Sequence, residues 1–210
     1  MELLQEDIQA FEQRFRTTFI NSLGGFKSLA LIGTINNKGN TNLAAFNSLF
    51  HLGATPALLG FVVRPDSVER HTLKNIRQMK VFTVNHVTAA FYENAHQTSA
   101  RYPAEISEFS GAKLTEAFKP DFAAPFVKES SVQIGVELHE VIDIPVNGTL
   151  IVIGKIVSVT LPDHVLGSDG FVDLVRAGSV TCAGLDAYYT AVPLARLSYA
   201  KPDSWPKKIE

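Results

Sequence analysis

The sequence predicts a mainly β fold, a closed antiparallel Greek-key barrel with helical insertions, and three observations carry that expectation. Residues 130–142 alternate, with Val132, Ile134, Val136 and Leu138 on one side and polar residues between them; residues 149–161 repeat the pattern. Asn147-Gly148 sits between these segments and is a strong hairpin signal. Residues 29–35 and the run from Thr41 flank the turn Asn36-Asn37-Lys38-Gly39 and read as a second hairpin. About six or seven strands interrupted irregularly by helices favour a closed antiparallel sheet over a doubly wound one. No Gly-x-Gly-x-x-Gly follows a strand, and the phosphate loop of nucleotide hydrolases is missing as well.

The elements follow in order. Ile8, Phe11, Phe15 and Phe19 recur at spacings of three and four, with Glu12, Arg14 and Arg16 between them. This predicts one amphipathic helix ending near Gly24-Gly25. Residues 58–63 form a strand stopped by Arg64-Pro65, and Asp66 or Ser67 caps a helix through Leu73, Ile76 and Met79. Residues 81–85 read as a strand and 88–99 as a helix, with Pro103 ending that element. Beyond Pro162 the chain reads as irregular until residues 192–197. The expected organisation is a helix over residues 1–25 packing on the barrel, a barrel domain over 26–202 and a tail over 203–210.

Bulk properties narrow the function classes. The chain has 210 residues, 46% hydrophobic and 19% charged, an ordinary globular composition with room for one sizeable core. A formal net charge of -2 and no basic stripe argue against general nucleic-acid binding. The single cysteine, Cys182, allows no intramolecular disulfide and no cysteine metal cage. The start, Met1-Glu-Leu-Leu-Gln-Glu-Asp, is acidic and lacks the pattern of a signal peptide. With no apolar run of about 20 residues, a soluble cytoplasmic protein away from membranes is the expectation. The six histidines, at positions 51, 71, 86, 96, 139 and 164, show no metal-ligand spacing, so no metal is assigned. Ser48 lacks the Gly-x-Ser-x-Gly elbow of a hydrolase nucleophile.

The densest chemistry lies between Thr34 and Asn75, where apolar strands are interrupted by Asn, Ser, Thr and one Arg. Such a set suits a ligand with a flat polar head and an anionic tail, a description that fits flavin mononucleotide (FMN). The run Gly39-Asn-Thr-Asn-Leu-Ala-Ala-Phe-Asn-Ser-Leu-Phe precedes Pro56-Ala-Leu-Leu-Gly-Phe-Val-Val-Arg, then His71-Thr-Leu-Lys-Asn-Ile and Phe82-Thr-Val-Asn. In that order the motifs resemble the flavin reductase-like family, which binds FMN on a split β-barrel. The likeness runs from about Phe26 to Pro202. The later pairing of Ile106-Ser-Glu-Phe-Ser-Gly with residues 132–139 follows the same family arrangement.

The resemblance implies roles. Arg64 and Thr72 reach the phosphate, with Asn75 a helical turn further on and His71 and Val63 beside them. Asn42, Leu43, Ala44 and Ala45 form a backbone platform along the ring, where small side chains let main-chain amides approach. Asn47 and Ser48 touch the ribityl chain or ring edge. Hydride arrives from NADH or NADPH, and no catalytic residue is named because the flavin itself carries the chemistry. The implied partners are a second copy in a homodimer and a small flavin or nicotinamide substrate.

Plainer readings stand beside these. Arg64 is also a solvated strand-end charge, and Asn47-Ser48 also a pair bonding to backbone. His51 reads as a pocket wall or a core histidine, where the family often has a small or apolar residue. Cys182 reads as a buried inert thiol or a reactive one. Arg176-Ala-Gly-Ser and Tyr188-Tyr189 fall where the family covers the cofactor edge, or the tyrosines pack at a dimer interface. The stretch 184–190 lacks the family's more usual glycine-rich opening. An FMN electron carrier without nicotinamide activity, or a barrel holding another anionic cofactor, remains the alternative.

Overall fold

The structure, a computed structural model of the chain, describes residues 1–65, 71–103 and 106–209. Two short helices open it, α1 (Gln5–Ala10) and α2 (Gln13–Leu23). The single helix expected here is interrupted because Glu12 folds back as a cap: its carboxylate accepts the amides of Arg14 at 2.8 Å and Phe15 at 3.1 Å. The phenylalanine stripe survives the break. Phe11 and Phe15 meet edge to face at 4.6 Å, and Phe11 and Phe19 at 5.4 Å. Neither helix buries a residue.

Strand β1 (Lys27–Ser28) leads into β2 (Ala30–Ile35) and β3 (Thr41–Phe46). Their hairpin forms where expected. Asn36 Oδ1 accepts the amides of Lys38 and Asn40, and Gly39 takes the positive φ of 85° that closes the turn. Next come β4 (Phe50–Ala54), β5 (Ala57–Val63), α3 (His71–Met79) and β6 (Val81–His86). The cap expected at Asp66 or Ser67 lies outside the described residues.

Helix α4 spans only Tyr92–Gln97, shorter than residues 88–99 suggest. Thr88 is drawn instead into a bridge with Ser179, and the chain turns before the helix starts. After α5 (Glu108–Gly111) come β7 (Glu116–Lys119), β8 (Phe122–Val127), β9 (Gln133–Ile144) and β10 (Thr149–Thr160). The region after Pro162 is more ordered than its sequence suggests. It holds β11 (Val180–Ala183) and β12 (Ala187–Thr190), which pair with each other, β11 pairing also with β1. Only Arg196–Leu197 of the strand expected at 192–197 is extended in a ladder: this β13 pairs with β14 (Lys208–Ile209).

The main sheet has seven strands in the order β3-β2-β6-β9-β10-β5-β4, every pairing antiparallel. Although β3 is one edge and β5 lies next to the other, the sheet curls until they approach. The hydroxyl of Ser48, just past β3, donates to the Val62 carbonyl and accepts the Val62 amide, both at 3.1 Å. Inside the curl Phe46 of β3 meets Phe61 of β5 at 4.8 Å, and Phe61 meets Phe82 of β6 at 5.6 Å. The result is a split barrel, mainly β with helical insertions. Strand β2 is buried on both faces: Ala30 and Ile32 point into the barrel core with Leu73 and Ile76 of α3, Leu29 and Leu31 into a second core. That second core joins Phe91, Phe109, Val127 and Cys182 from the insertions. No described helix is long and apolar enough to cross a membrane.

Candidate functional site

The Thr34–Asn75 segment gathers into one polar seam. Asn42 leaves β3 with its carboxamide nitrogen donating to the Thr72 hydroxyl at 2.9 Å and the Thr34 hydroxyl at 3.3 Å. Asn75, one turn along α3, donates to the same Thr34 hydroxyl at 3.1 Å. All four residues are buried. Polar groups withdrawn from water persist only with partners, and each buried side-chain polar atom among the described residues has one. The knot pins the first turn of α3 against the β2–β3 hairpin.

Strand β3 runs from this knot along the sheet edge, so its outward main-chain groups have no ladder partner among the described residues. The Leu43 amide faces outward and donates to Glu108 Oε2 at 3.1 Å. Two residues on, Ala45 presents its amide on the same edge, since extended backbone repeats every second residue. Ala44 and Ala45, half-buried on this strand, carry only methyl side chains. Ser107, beside Glu108, reaches the Thr41 hydroxyl at 2.8 Å, so α5 frames the outer side of the strand.

At the far end the Asn47 carboxamide donates to the Gly184 carbonyl at 2.8 Å, tying β3 to the β11–β12 turn. Ser48 bonds the main chain of Val62, two residues before Arg64. Val63 is buried, whereas Arg64 projects at the exposed end of β5. His71 is half-buried at the first residue of α3. The fold therefore groups Asn42, Thr72 and Asn75 at one end of β3 and Asn47 and Ser48 at the other, with Leu43, Ala44 and Ala45 between, while Val63 and Arg64 stand at the end of β5. The side chains of Asn42, Asn47, Ser48, Thr72 and Asn75 all bond to protein partners.

Behind the edge lies a titratable cluster. Tyr188 of β12 packs on Tyr92 with ring centroids 5.5 Å apart, and its hydroxyl lies 2.5 Å from Nδ1 of His96. Burial raises the Tyr188 phenol above its ordinary value. Cys182, opposite Tyr188 in the ladder, is buried; desolvation pushes its thiol up, partly offset by Asn47 and the Lys27 charge. His86 is shifted the other way: burial holds its imidazole below the usual range while Nδ1 meets the Ser179 hydroxyl at 3.0 Å. A cavity of about 450 Å³ opens elsewhere, between α2 and the β11–β12 turn, lined by Arg14, Thr17, Leu185 and Asp186 among others.

Two participants escaped the sequence reading. Thr34 accepts two carboxamides yet shows in sequence only as a polar residue at a strand end. Glu108 caps an amide 65 positions away, a partnership with no local signature.

Comparison with known proteins points one way. The model of the flavin reductase like domain matches residues 26–178. A Shewanella frigidimarina protein with a split barrel domain, provisionally named a flavin reductase, is 50% identical. The match covers 95% of this chain and all of that one, with a TM-score of 0.92. Component B of a Bacillus cereus nitrilotriacetate monooxygenase shares the fold at 18% identity (94% of this chain, all of that one, TM-score 0.82). So does the 2-nitrobenzoate 2-nitroreductase of Pseudomonas fluorescens, also at 18% (98% and 99%, TM-score 0.81).

Proposed function

Because this chain belongs to the flavin reductase-like family of split-barrel oxidoreductases, we propose that it binds FMN along β3 and transfers hydride from NADH or NADPH to flavin. The electrons then pass to a free flavin or a protein acceptor. The observation that carries the proposal is the pinning of α3 to β3 by Asn42, Asn75 and Thr34. It sets the start of a helix beside an edge strand whose outward amides have no ladder partner among the described residues.

The residues present fit that group. A phosphate near two negative charges at neutral pH calls for charge-assisted donors and helix-start amides. Arg64 and the first turn of α3, with the Thr72 hydroxyl and His71, supply that chemistry. Asn75 and Asn42 act as positioning residues, since their donors are committed to Thr34 and Thr72. The outward amide of Ala45 and the small Ala44 offer a thin edge for a ring bearing carbonyls, while the Leu43 amide is held by Glu108. Asn47 and Ser48 shape the far end, and Val63 packs in the core with Leu73 and Ile76 of α3. FMN, when bound, supplies the hydride-accepting atom, and the protein supplies orientation and a preorganised set of dipoles. A homodimer, common in the family, completes the proposal.

An anaerobic test separates this reading from its neighbours. Protein loaded with FMN is mixed with NADH or NADPH and the flavin absorption followed. Rapid bleaching supports a reductase, whereas a stable yellow spectrum that bleaches only with dithionite indicates an electron carrier. Protein that ignores added FMN rejects the flavin assignment.

A further inference from the structure

The chain ends in an ordered hairpin that turns its apolar side chains outward. Val192 is 84% exposed, Leu194 98%, Tyr199 91% and Trp205 91%. This is not a frayed tail. The β13–β14 ladder closes it, the Ser198 amide donates to the Lys207 carbonyl at 2.8 Å, and Arg196 anchors it to the barrel domain. The Arg196 guanidinium reaches Asp169 at 2.5 Å and lies 4.1 Å over the Phe171 ring. An ordered segment that holds two large aromatics in water implies a partner for them.

The other end of the chain has the matching deficit. Helices α1 and α2 bury no residue, and Phe15, Ile20, Leu23 and Phe26 stay exposed on or just after α2. The charges are complementary as well. Residues 1–23 carry Glu2, Glu6, Asp7 and Glu12 against Arg14 and Arg16, while the arm carries Lys201, Lys207 and Lys208 against Asp203, with Arg196 held by Asp169. Among the described residues of one copy nothing covers either surface, so the arm is not resting on its own helices.

We propose that the C-terminal arm (residues 192–209) of one copy docks on the acidic, phenylalanine-rich N-terminal helices of a second copy. A two-fold axis forms the contact twice. The area suffices. Aromatic side chains bury about 150–250 Å² each. Tyr199 and Trp205 from two arms, with an equal area on the helices, reach roughly 1,200–2,000 Å², the size of a standard stable interface. The proposal is independent of FMN binding.

Trp205 is the only tryptophan in the chain, so its fluorescence reports the contact directly. Sedimentation equilibrium on the full chain gives the dimer dissociation constant, and acrylamide quenching is read at concentrations where the dimer dominates. Quenching well below that of the unfolded chain is expected. Trp205→Ser should weaken the dimer by about thirtyfold, the scale of a buried interfacial tryptophan. Lys207→Glu with Lys208→Glu should weaken it too, and adding Glu2→Lys with Glu6→Lys to that chain should restore it. A chain that stays monomeric, a dimer whose Trp205 quenches as freely as in the unfolded chain, or charge reversals without restoration would each overturn the proposal.

Discussion

The carboxamide of Asn75 donates to the hydroxyl of Thr34 across 3.1 Å, joining the second turn of α3 to strand β2. Asn42 reaches the same oxygen from β3, so one hydroxyl at 0% exposure ties together three elements. Replacing Thr34 with Val keeps the shape and removes the acceptor. Leaving a buried carboxamide unpaired costs about 1–3 kcal/mol, so the urea midpoint should fall accordingly. FMN affinity should drop with it, and Thr34→Ser should recover most of both.

Arg64→Ala probes the phosphate end. Loss of a charge-assisted contact weakens binding by about 1.5–3 kcal/mol, or roughly ten- to a hundredfold in dissociation constant. Folding stability should barely change, because Arg64 is exposed at a strand end. Titration of the apo-protein, paired with thermal melting, measures both. Unchanged affinity would place the phosphate elsewhere.

Gly33→Ala tests how closely β8 lies over β2. A Cβ at Gly33 would sit 2.3 Å from the Pro125 carbonyl oxygen and 2.5 Å from Thr83 Oγ1. A main-chain carbonyl held between strands cannot yield as a flexible side chain can. Overpacking of this kind costs about 1–3 kcal/mol or more, visible as a lower denaturation midpoint.

His86 makes stability depend on acid. Burial depresses its folded pKa below the ordinary 6.5, so the unfolded chain binds the proton more tightly. Its contribution is whole above pH 6.5 and is lost as pH falls through the depressed folded value. Cys182 and Tyr188 act at the opposite limb. Their folded pKa values are raised, so their contributions are whole below the unfolded values and decline as pH climbs through the alkaline range. Urea melts across pH should show both limbs. His86→Gln should flatten the acid one, and Cys182 should resist a thiol reagent at neutral pH until the chain is unfolded.

Much of this fold is written locally. The Asn36–Gly39 turn, the Asn147-Gly148 hairpin and the apolar spacing of Leu73 and Ile76 each depend on neighbours in sequence, and each element stands where its pattern puts it. What stays hidden is what a residue does through a distant partner. Pro125 disguises β8, because a proline inside a run argues against a strand. Glu12 ends one helix and starts another within an unbroken apolar stripe. Four-residue strands such as β11 and β12 offer too little periodicity to stand out. At the site, the succession of Asn42, Asn47, Ser48, Thr72 and Asn75 was legible as a run of polar groups among apolar strands. Asn47 and Ser48 do bond to backbone, one of the two readings their sequence offered, but their partners Gly184 and Val62, like Thr72 for Asn42, were hidden because each bond spans a gap that only folding closes.

The most direct measurement is an equilibrium titration of FMN by the apo-protein, followed by quenching of flavin fluorescence, with wild type beside Thr34→Val and Arg64→Ala. Saturable binding that weakens in both variants is the predicted result. A wild-type protein that leaves the fluorescence of FMN unchanged at every concentration would contradict the assignment of β3 and α3 as a flavin site.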